Sequence, residues 1–401
     1  MTTRSTELLR AAHAHPGVTR ADAARLLGVG TGAATELVAR LAQARLLAEA
    51  PAAPSGVRGR PTTVLVPHPE GPLVLAAEIT HESWRLDVVE LGGRTLSSVT
   101  APHAGTAWAK VTAAVTEAIS PLRHTYGDRL RAMGVSVPGT VSRALRLDAT
   151  NVGWHDVDLT ELWPTTPAGP AEPAGPAEPR PAEPRPGVPV SAILAASPVF
   201  VAGNDASLAA AAESARGAAI GASVALHVRV EGGLGGAIVD QGRLSTGATG
   251  TSGEFGHMPF GDPAVTCPCG ARGCWGTAVD GTALARLLRQ PPPHDPITYA
   301  RRVIASRGTE ERAAVGMAAA ALGRGLAGLV NGLDADLVTL GSIAADLQAA
   351  APIELAAAYR SGLMAIRRDS PPPLRPAALG PDGPIAGAGE LAWSSLLTRL
   401  G

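Results

Sequence analysis

The sequence predicts a mixed α/β fold preceded by a small helical module, and three observations carry that expectation. Three short apolar periodicities of helical spacing, broken by glycine, fill the stretch from Thr6 to Ala50. From Gly71 onward, aliphatic and β-branched runs alternate with alanine-rich stretches, as in strands layered with helices. Between Gly253 and Cys274 the chain gathers all three of its cysteines into eight positions, ten residues after a histidine.

Composition narrows the function classes. The 401 residues divide into about two or three domains. With 34 basic and 35 acidic residues, the net charge of -1 gives no chain-wide attraction to nucleic acid or to a membrane. Any nucleic-acid contact must come from a local patch. The opening residues lack the apolar core of a signal peptide, and no apolar run approaches the ~20 residues of a membrane span. Together with the clustered thiols, this makes a cytoplasmic location and no membrane partner the expectation.

In chain order, Thr6 to His15 places Leu8, Leu9, Ala11 and Ala12 on one face and ends at Pro16-Gly17. Thr19 is an N-cap residue with Asp22 three positions on, a capping-box spacing, before Ala23, Ala24, Leu26 and Leu27. Gly28-Val29-Gly30 then turns the chain into a third helix burying Ala34, Leu37, Val38 and Leu41. This is the pattern of a helix-turn-helix module. A winged version follows if Leu46–Glu49 pairs with Thr62–Val66 across a loop holding Arg58-Gly59-Arg60. Two arginines on a glycine-bearing extended loop suit a narrow minor groove of double-stranded DNA. The third helix offers only Thr31 and Thr35 to base edges, so Arg40, Arg58 and Arg60 are expected to supply most of the affinity. A small packing or dimerisation bundle is the alternative for these helices.

The second domain opens near Gly71 with strands at Leu73–Ile79, Trp84–Leu91 and Thr95–Thr100, a helix from Trp108 to Arg123, and a buried strand at Leu130–Val137 closed by Pro138-Gly139. A ligand is expected beyond the strand ends. Residues 164–187, rich in Pro, Ala and Glu, cannot build a core and read as a disordered insertion. The strand before Asn204 and Asp205 delivers them to the start of an alanine-rich helix. They read either as hydroxyl-binding groups or as the cap of that helix. The turn Glu231-Gly232-Gly233-Leu234-Gly235 cradles a phosphate or simply closes a hairpin. The final third is helical around one buried strand, Leu337–Gly341, with a terminal helix starting at Glu390.

Three thiols and an imidazole make the ligand set of a closed tetrahedral zinc site: Cys267, Cys269, Cys274 and His257. The odd cysteine count disfavours disulfides, and a chance cluster of buried thiols is the bland alternative. Four protein ligands leave no open position for a reactive water, so one structural Zn2+ per chain is expected.

Gly253-Glu254-Phe255-Gly256-His257 followed by Cys-x-Cys-Gly-x-x-Gly-Cys is specific enough to name a resemblance. With Val137-Pro138-Gly139, Asn151-Val152-Gly153-Trp154 and Gly203-Asn204-Asp205-Ala206, it makes the chain resemble the ROK family of repressors, open reading frames and sugar kinases. The N-terminal module points to the winged-helix repressor branch. The resemblance implies a two-lobed actin-like, ribonuclease-H-like sugar-kinase body over residues 71–401, behind a DNA-binding domain at 1–70. Lobe one would span about 71–200 plus the C-terminal helix, and lobe two about 201–385. It also implies a homodimer or homotetramer, and sugar contacts from Asn204, Asp205, Glu254 and His257, the aspartate being the base in kinase members.

Two departures refine the implication. Kinase members carry Asp-x-Gly-Gly-Thr after the first body strand, whereas here Glu78-Ile79-Thr80-His81-Glu82 brings bulk and an extra carboxylate. Phosphoryl transfer rests on positioning and charge neutralisation, so this loss argues against a sugar kinase, the alternative function. The family's glutamate two residues after the last cysteine is Gly276 here, which removes a sugar contact. The expected function is a repressor of carbohydrate genes that binds an operator, senses a sugar or sugar phosphate and is not an enzyme.

Overall fold

The computed structural model describes residues 3–52, 63–103, 105, 107–163 and 198–400. Two compact units organise them: residues 1–135, 158–202 and 388–401 form the first, and 136–157 with 203–387 the second.

The first unit opens with three helices, α1 (Thr3–Ala14), α2 (Arg20–Leu27) and α3 (Thr31–Gln43). The Thr19 capping box forms as its spacing suggests: Asp22 N–H donates to Thr19 Oγ1, and Thr19 N–H donates to Asp22 Oδ2. Gly28 adopts the left-handed conformation (φ 63°) that ends α2, a region open to glycine without penalty. Leu8, Leu9, Leu37 and Leu41 bury the shared face. Strands β1 (Leu47–Pro51) and β2 (Thr63–Pro67) pair antiparallel, forming the wing expected from the sequence.

The rest of the first unit is built on a five-stranded sheet. Its members are β3 (Leu73–Ile79), β4 (Ser83–Glu90), β5 (Thr95–Pro102), β6 (Leu130–Val137) and β10 (Val199–Asn204), in the order β10-β6-β3-β4-β5. The last two residues of β6 and of β10 belong to the second unit. Strands β3, β4 and β5 form an antiparallel meander. Helix α4 (Trp108–Tyr126) buries Val111, Val115, Ile119 and Leu122.

Strands β7 (Thr140–Val141), β8 (Arg146–Ala149) and β9 (Trp154–Asp158) make a small sheet that the sequence did not announce, its members being too short for a period-2 signal. The second unit's main sheet has the order β13-β12-β11-β14-β15, comprising β11 (Val224–Val230), β12 (Leu234–Asp240), β13 (Arg243–Leu244), β14 (Leu337–Ser342) and β15 (Leu374–Pro376). β11 runs antiparallel to β12 and parallel to β14.

Helix α5 (Asp205–Arg216) packs on β11 and β12. Around the sheet lie α6 (Gly281–Leu287), α7 (Pro296–Ala305), α8 (Thr309–Leu333), α9 (Ile343–Ala350), α10 (Pro352–Gly362) and α11 (Ala365–Arg368). α8 is long and apolar enough to cross a membrane, yet 72% of its apolar window is buried within the protein. Helix α9 starts behind Ser342, whose side chain makes no cap bond and whose φ is 53°, so the usual capping geometry does not form there. Helix α12 (Gly383–Leu400) begins in the second unit and continues in the first. It starts seven residues earlier than Glu390, through a Gly- and Pro-rich stretch whose propensity argues against helix.

Candidate functional site

The segment Gly253–His257 lies against the backbone at the start of β12. A Cβ on Gly253, which sits at φ 98°, would run into the Gly236 carbonyl, and one on Gly256 into the Leu234 carbonyl. Glycine is therefore required at both positions, which explains their place beside Glu254 and His257.

Beyond it the chain folds back on itself through Gly261 N–H to Gly273 O (2.8 Å), Cys267 N–H to Ala271 O (2.8 Å) and Gly270 N–H to Cys267 O (2.9 Å). This knuckle brings Cys267, Cys269 and Cys274 to His257, with all four donor atoms within 4.8 Å of one another. His257 Nδ1 lies 3.8 Å from Cys267 Sγ, and Cys269 Sγ lies 3.7 Å from Cys274 Sγ, far beyond a disulfide bond. The Ala271 N–H beside Cys269 lowers its thiol to about 7, whereas burial pushes Cys274 up to about 12. Cys267 and Cys274 are buried and Cys269 is exposed. Four soft or borderline donors at this spacing can hold a metal ion. The other imidazole nitrogen, Nε2, points away from the thiols and lies 3.8 Å from Glu254 Oε2, and both side chains are about half exposed.

The turn after β6 joins this knuckle to Asn204. Thr140 Oγ1 donates to Glu254 Oε1 (3.0 Å), while the neighbouring Gly139 carbonyl accepts from Asn204 Nδ2 (3.0 Å). Two consecutive residues therefore bring Glu254–His257 and Asn204–Asp205 together. Asn204 Oδ1 accepts from Ala206 N–H (3.0 Å) and Ser207 N–H (3.2 Å), so the capping role weighed from the sequence is present. One Nδ2 hydrogen remains for a ligand. Burial pushes the Asp205 carboxyl up, and the Arg229 guanidinium partly opposes that shift.

Arg229 escaped the sequence reading, although an arginine between Val228 and Val230 was the available signal. Arg229 is buried and donates to Glu231 Oε1 (2.5 Å). On the same strand His227 meets Thr339 Oγ1 at 2.8 Å, and burial holds its imidazole down to about 3. Trp275, next to the last cysteine, is fully buried and donates its Nε1–H to Ala321 O (3.1 Å), so it serves packing. Gly276 is buried beside it.

In the first unit, Thr80–Ser83 closes on itself. Thr80 Oγ1 accepts from Glu82 N–H (3.2 Å) and Ser83 N–H (3.0 Å), and Thr80 N–H donates to Ser83 O (2.8 Å). Three of the N–H groups that could cradle a phosphate there, those of Thr80, Glu82 and Ser83, are thus engaged. On α3, Thr31, Thr35 and Arg40 are exposed, and Thr35 Oγ1 donates back to Thr31 O (2.9 Å). Arg58, Arg60 and the 164–187 insertion lie outside the described residues.

Comparison with known proteins bears on this arrangement. Residues 194–394 match the ROK family. The chain is 27% identical over 220 residues to a glucokinase of Streptomyces coelicolor, covering 54% of this chain and 59% of that protein. It is 35% identical over 92 residues to the xylose repressor of Bacillus subtilis, covering 23% of this chain and 24% of that protein. The fold is similar to that of a ROK family transcriptional regulator, a homolog of the E. coli MLC protein. That likeness has TM-score 0.72 and 19% identity, over 99% of this chain and 96% of the other. The chain thus spans under two thirds of the length of these curated relatives, while its architecture is matched nearly end to end. It belongs to the ROK family.

Proposed function

We propose that this chain is a DNA-binding transcriptional regulator, a repressor of carbohydrate genes whose body senses a sugar or sugar phosphate. The observation that carries this reading is the closed turn at Thr80–Ser83, in a chain that also presents an exposed α3 on a winged three-helix module. With the Glu82 and Ser83 N–H groups bonded to Thr80 Oγ1, Thr80 N–H bonded to Ser83 O, and a glutamate at 82, a triphosphate would meet repulsion and few donors.

DNA would be bound through residues 1–70, with Thr31 and Thr35 near base edges and Arg40, Arg58 and Arg60 on phosphates or in the minor groove. The sugar would meet Asp205, the remaining Nδ2 hydrogen of Asn204, Glu254 and the Nε2 edge of His257. Thr140 orients Glu254, and the neighbouring Gly139 carbonyl holds the Asn204 amide.

Zinc fits the knuckle because three sulfurs and one imidazole nitrogen already lie within 4.8 Å of one another. When bound, the ion supplies a cross-link and no reactive position. Cys267, Cys269, Cys274 and His257 would hold it, and His257 would thereby be fixed with Nε2 toward Glu254.

A homodimer or homotetramer would present paired modules to half-sites one helical turn apart or a multiple. A ligand would change DNA affinity only by binding two states of this assembly unequally.

The test has two arms on the full chain. Affinity for a random-sequence duplex should fall steeply between 50 and 200 mM salt. Incubation with ATP-Mg and a panel of hexoses and pentoses should yield no sugar phosphate. Rapid phosphorylation would replace this reading with that of a sugar kinase.

A further inference from the structure

We propose that His13 and Glu390 form the joint through which helix α12 fixes the orientation of the N-terminal module, so that a shift of α5 at its Asn204–Asp205 end reaches that module. The inference rests on the regulatory reading above and names the residues that carry its coupling.

His13 sits near the end of α1 and is buried, with three neighbours that are distant in sequence. Its Nδ1 accepts from the Gly92 N–H (3.0 Å) at the turn between β4 and β5. A backbone N–H is only a donor, so Nδ1 carries no proton in this arrangement and the ring proton is on Nε2. That proton is donated to Glu390 Oε2 (3.0 Å) on α12. The imidazole also lies 5.6 Å from the Trp393 ring, one turn further along α12. A single side chain thus ties the helical module to a body turn and to the C-terminal helix. The two polar bonds are directional, and only one tautomer can make both.

The opposite end of α12 packs on α5 about one turn beyond Asp205. Gly387 approaches α5 so closely that a Cβ there would run into the Leu208 carbonyl, and a Cβ on Gly383 would lie 3.2 Å from Ala209 Cβ. Helix α5 begins at Asp205, capped by Asn204. Contacts of helix against glycine backbone leave no soft side chain to absorb a displacement, so movement of α5 must be shared by the first turns of α12. α12 is continuous from Gly383 to Leu400, so Glu390 and Trp393 follow. The Gly-rich start that made α12 hard to read from the sequence is what allows this close approach.

Hydrogen exchange of the full-length chain tests the joint without knowledge of the effector. His13→Ala and Glu390→Ala should each raise exchange in α1–α3 by about tenfold or more, the loss of a hydrogen bond to a charged group. The β3 and β11 amides should keep their protection. Glu390→Gln retains an acceptor for the Nε2 proton and should stay within about threefold of wild type, which a role in bulk packing alone does not require. Asn204→Ala, which uncaps α5, should raise α1 exchange in the wild-type background and add nothing in the His13→Ala background.

Unchanged α1 protection in Glu390→Ala would overturn the joint. So would fully additive effects of Asn204→Ala and His13→Ala. Salt-sensitive binding of a random-sequence duplex by the wild-type chain is measured alongside. Its absence would remove the regulatory reading, while the exchange result still decides the joint.

Discussion

Replacing Glu213 by glutamine should cost the second unit a large part of its stability. Glu213 is completely buried in α5, and its two oxygens accept three backbone N–H groups. Oε2 takes Ala218 (2.7 Å) and Ala378 (3.0 Å), and Oε1 takes Leu379 (2.7 Å). In whichever orientation the amide settles, its NH2 faces at least one of these donors, and the best case sacrifices Leu379 alone. A bond to a charged acceptor contributes about 1.5–3 kcal/mol, and the orphaned buried N–H adds about 1–3 kcal/mol. The expected loss is about 3–5 kcal/mol. For a unit of about 200 residues this lowers Tm by roughly 6–20 °C. Scanning calorimetry of the full chain at pH 7 reads that shift, and Glu213→Ala, with three orphaned donors, should fall further. A change of less than about 1 °C would refute the claim that these three N–H groups depend on the carboxylate.

Further outcomes follow from other sites. Burial raises the Asp280 carboxyl to about 6, while it caps α6 through Ala283 N–H (2.7 Å). A folded pKa raised above the unfolded one contributes stability below pH ~4 that is lost as pH rises through ~6. Asp280→Asn keeps a cap and should therefore gain about 1–3 kcal/mol at pH 8 but little at pH 4, as read by denaturant melts at both. Cys269→Ser should reduce bound zinc well below one ion per chain by metal analysis, and full retention would remove that cysteine from the ligand set. Gly253→Ala, at φ 98° and against the Gly236 carbonyl, should displace the Glu254–His257 segment. It should lower both Tm and metal content. Gly276→Glu puts a carboxylate at the position where a Cβ would meet Gly256 O and Leu234 N at 3.4 Å and Leu234 Cβ at 3.6 Å, ordinary contact distances. If the proposed sugar site is right, the affinity of the best binder in a hexose and pentose panel, followed by calorimetric titration, should tighten about 10–100-fold, and an unchanged Kd would exclude position 276 from that site.

Local chemistry was legible in the sequence. The Thr19–Asp22 box, the glycine that ends α2 and the wing pairing are decided by residues close together in the chain, and each formed as its spacing suggested. The knuckle was legible because three thiols within eight positions and a nearby imidazole have few other uses. Aliphatic runs gave the long strands, since burial on both faces demands them. Short strands, and helices that start in an unusual backbone state, carried no such mark, and β7–β9 and α9 were missed for that reason.

From the sequence alone come the candidate site residues, Asn204, Asp205, Glu254, His257 and three cysteines, behind a helix-turn-helix pattern. The tertiary structure decided how each is engaged. It joined Asn204 to Gly139 and Glu254 to Thr140, and it buried Trp275 in the core. It placed Arg229 beside Asp205 and brought His13 to Glu390 across 377 positions of chain. The physical reason is range. Capping, turn geometry and ligand spacing act within a few residues, whereas desolvation, close backbone approach and long-range hydrogen bonds exist only once distant segments share one interior.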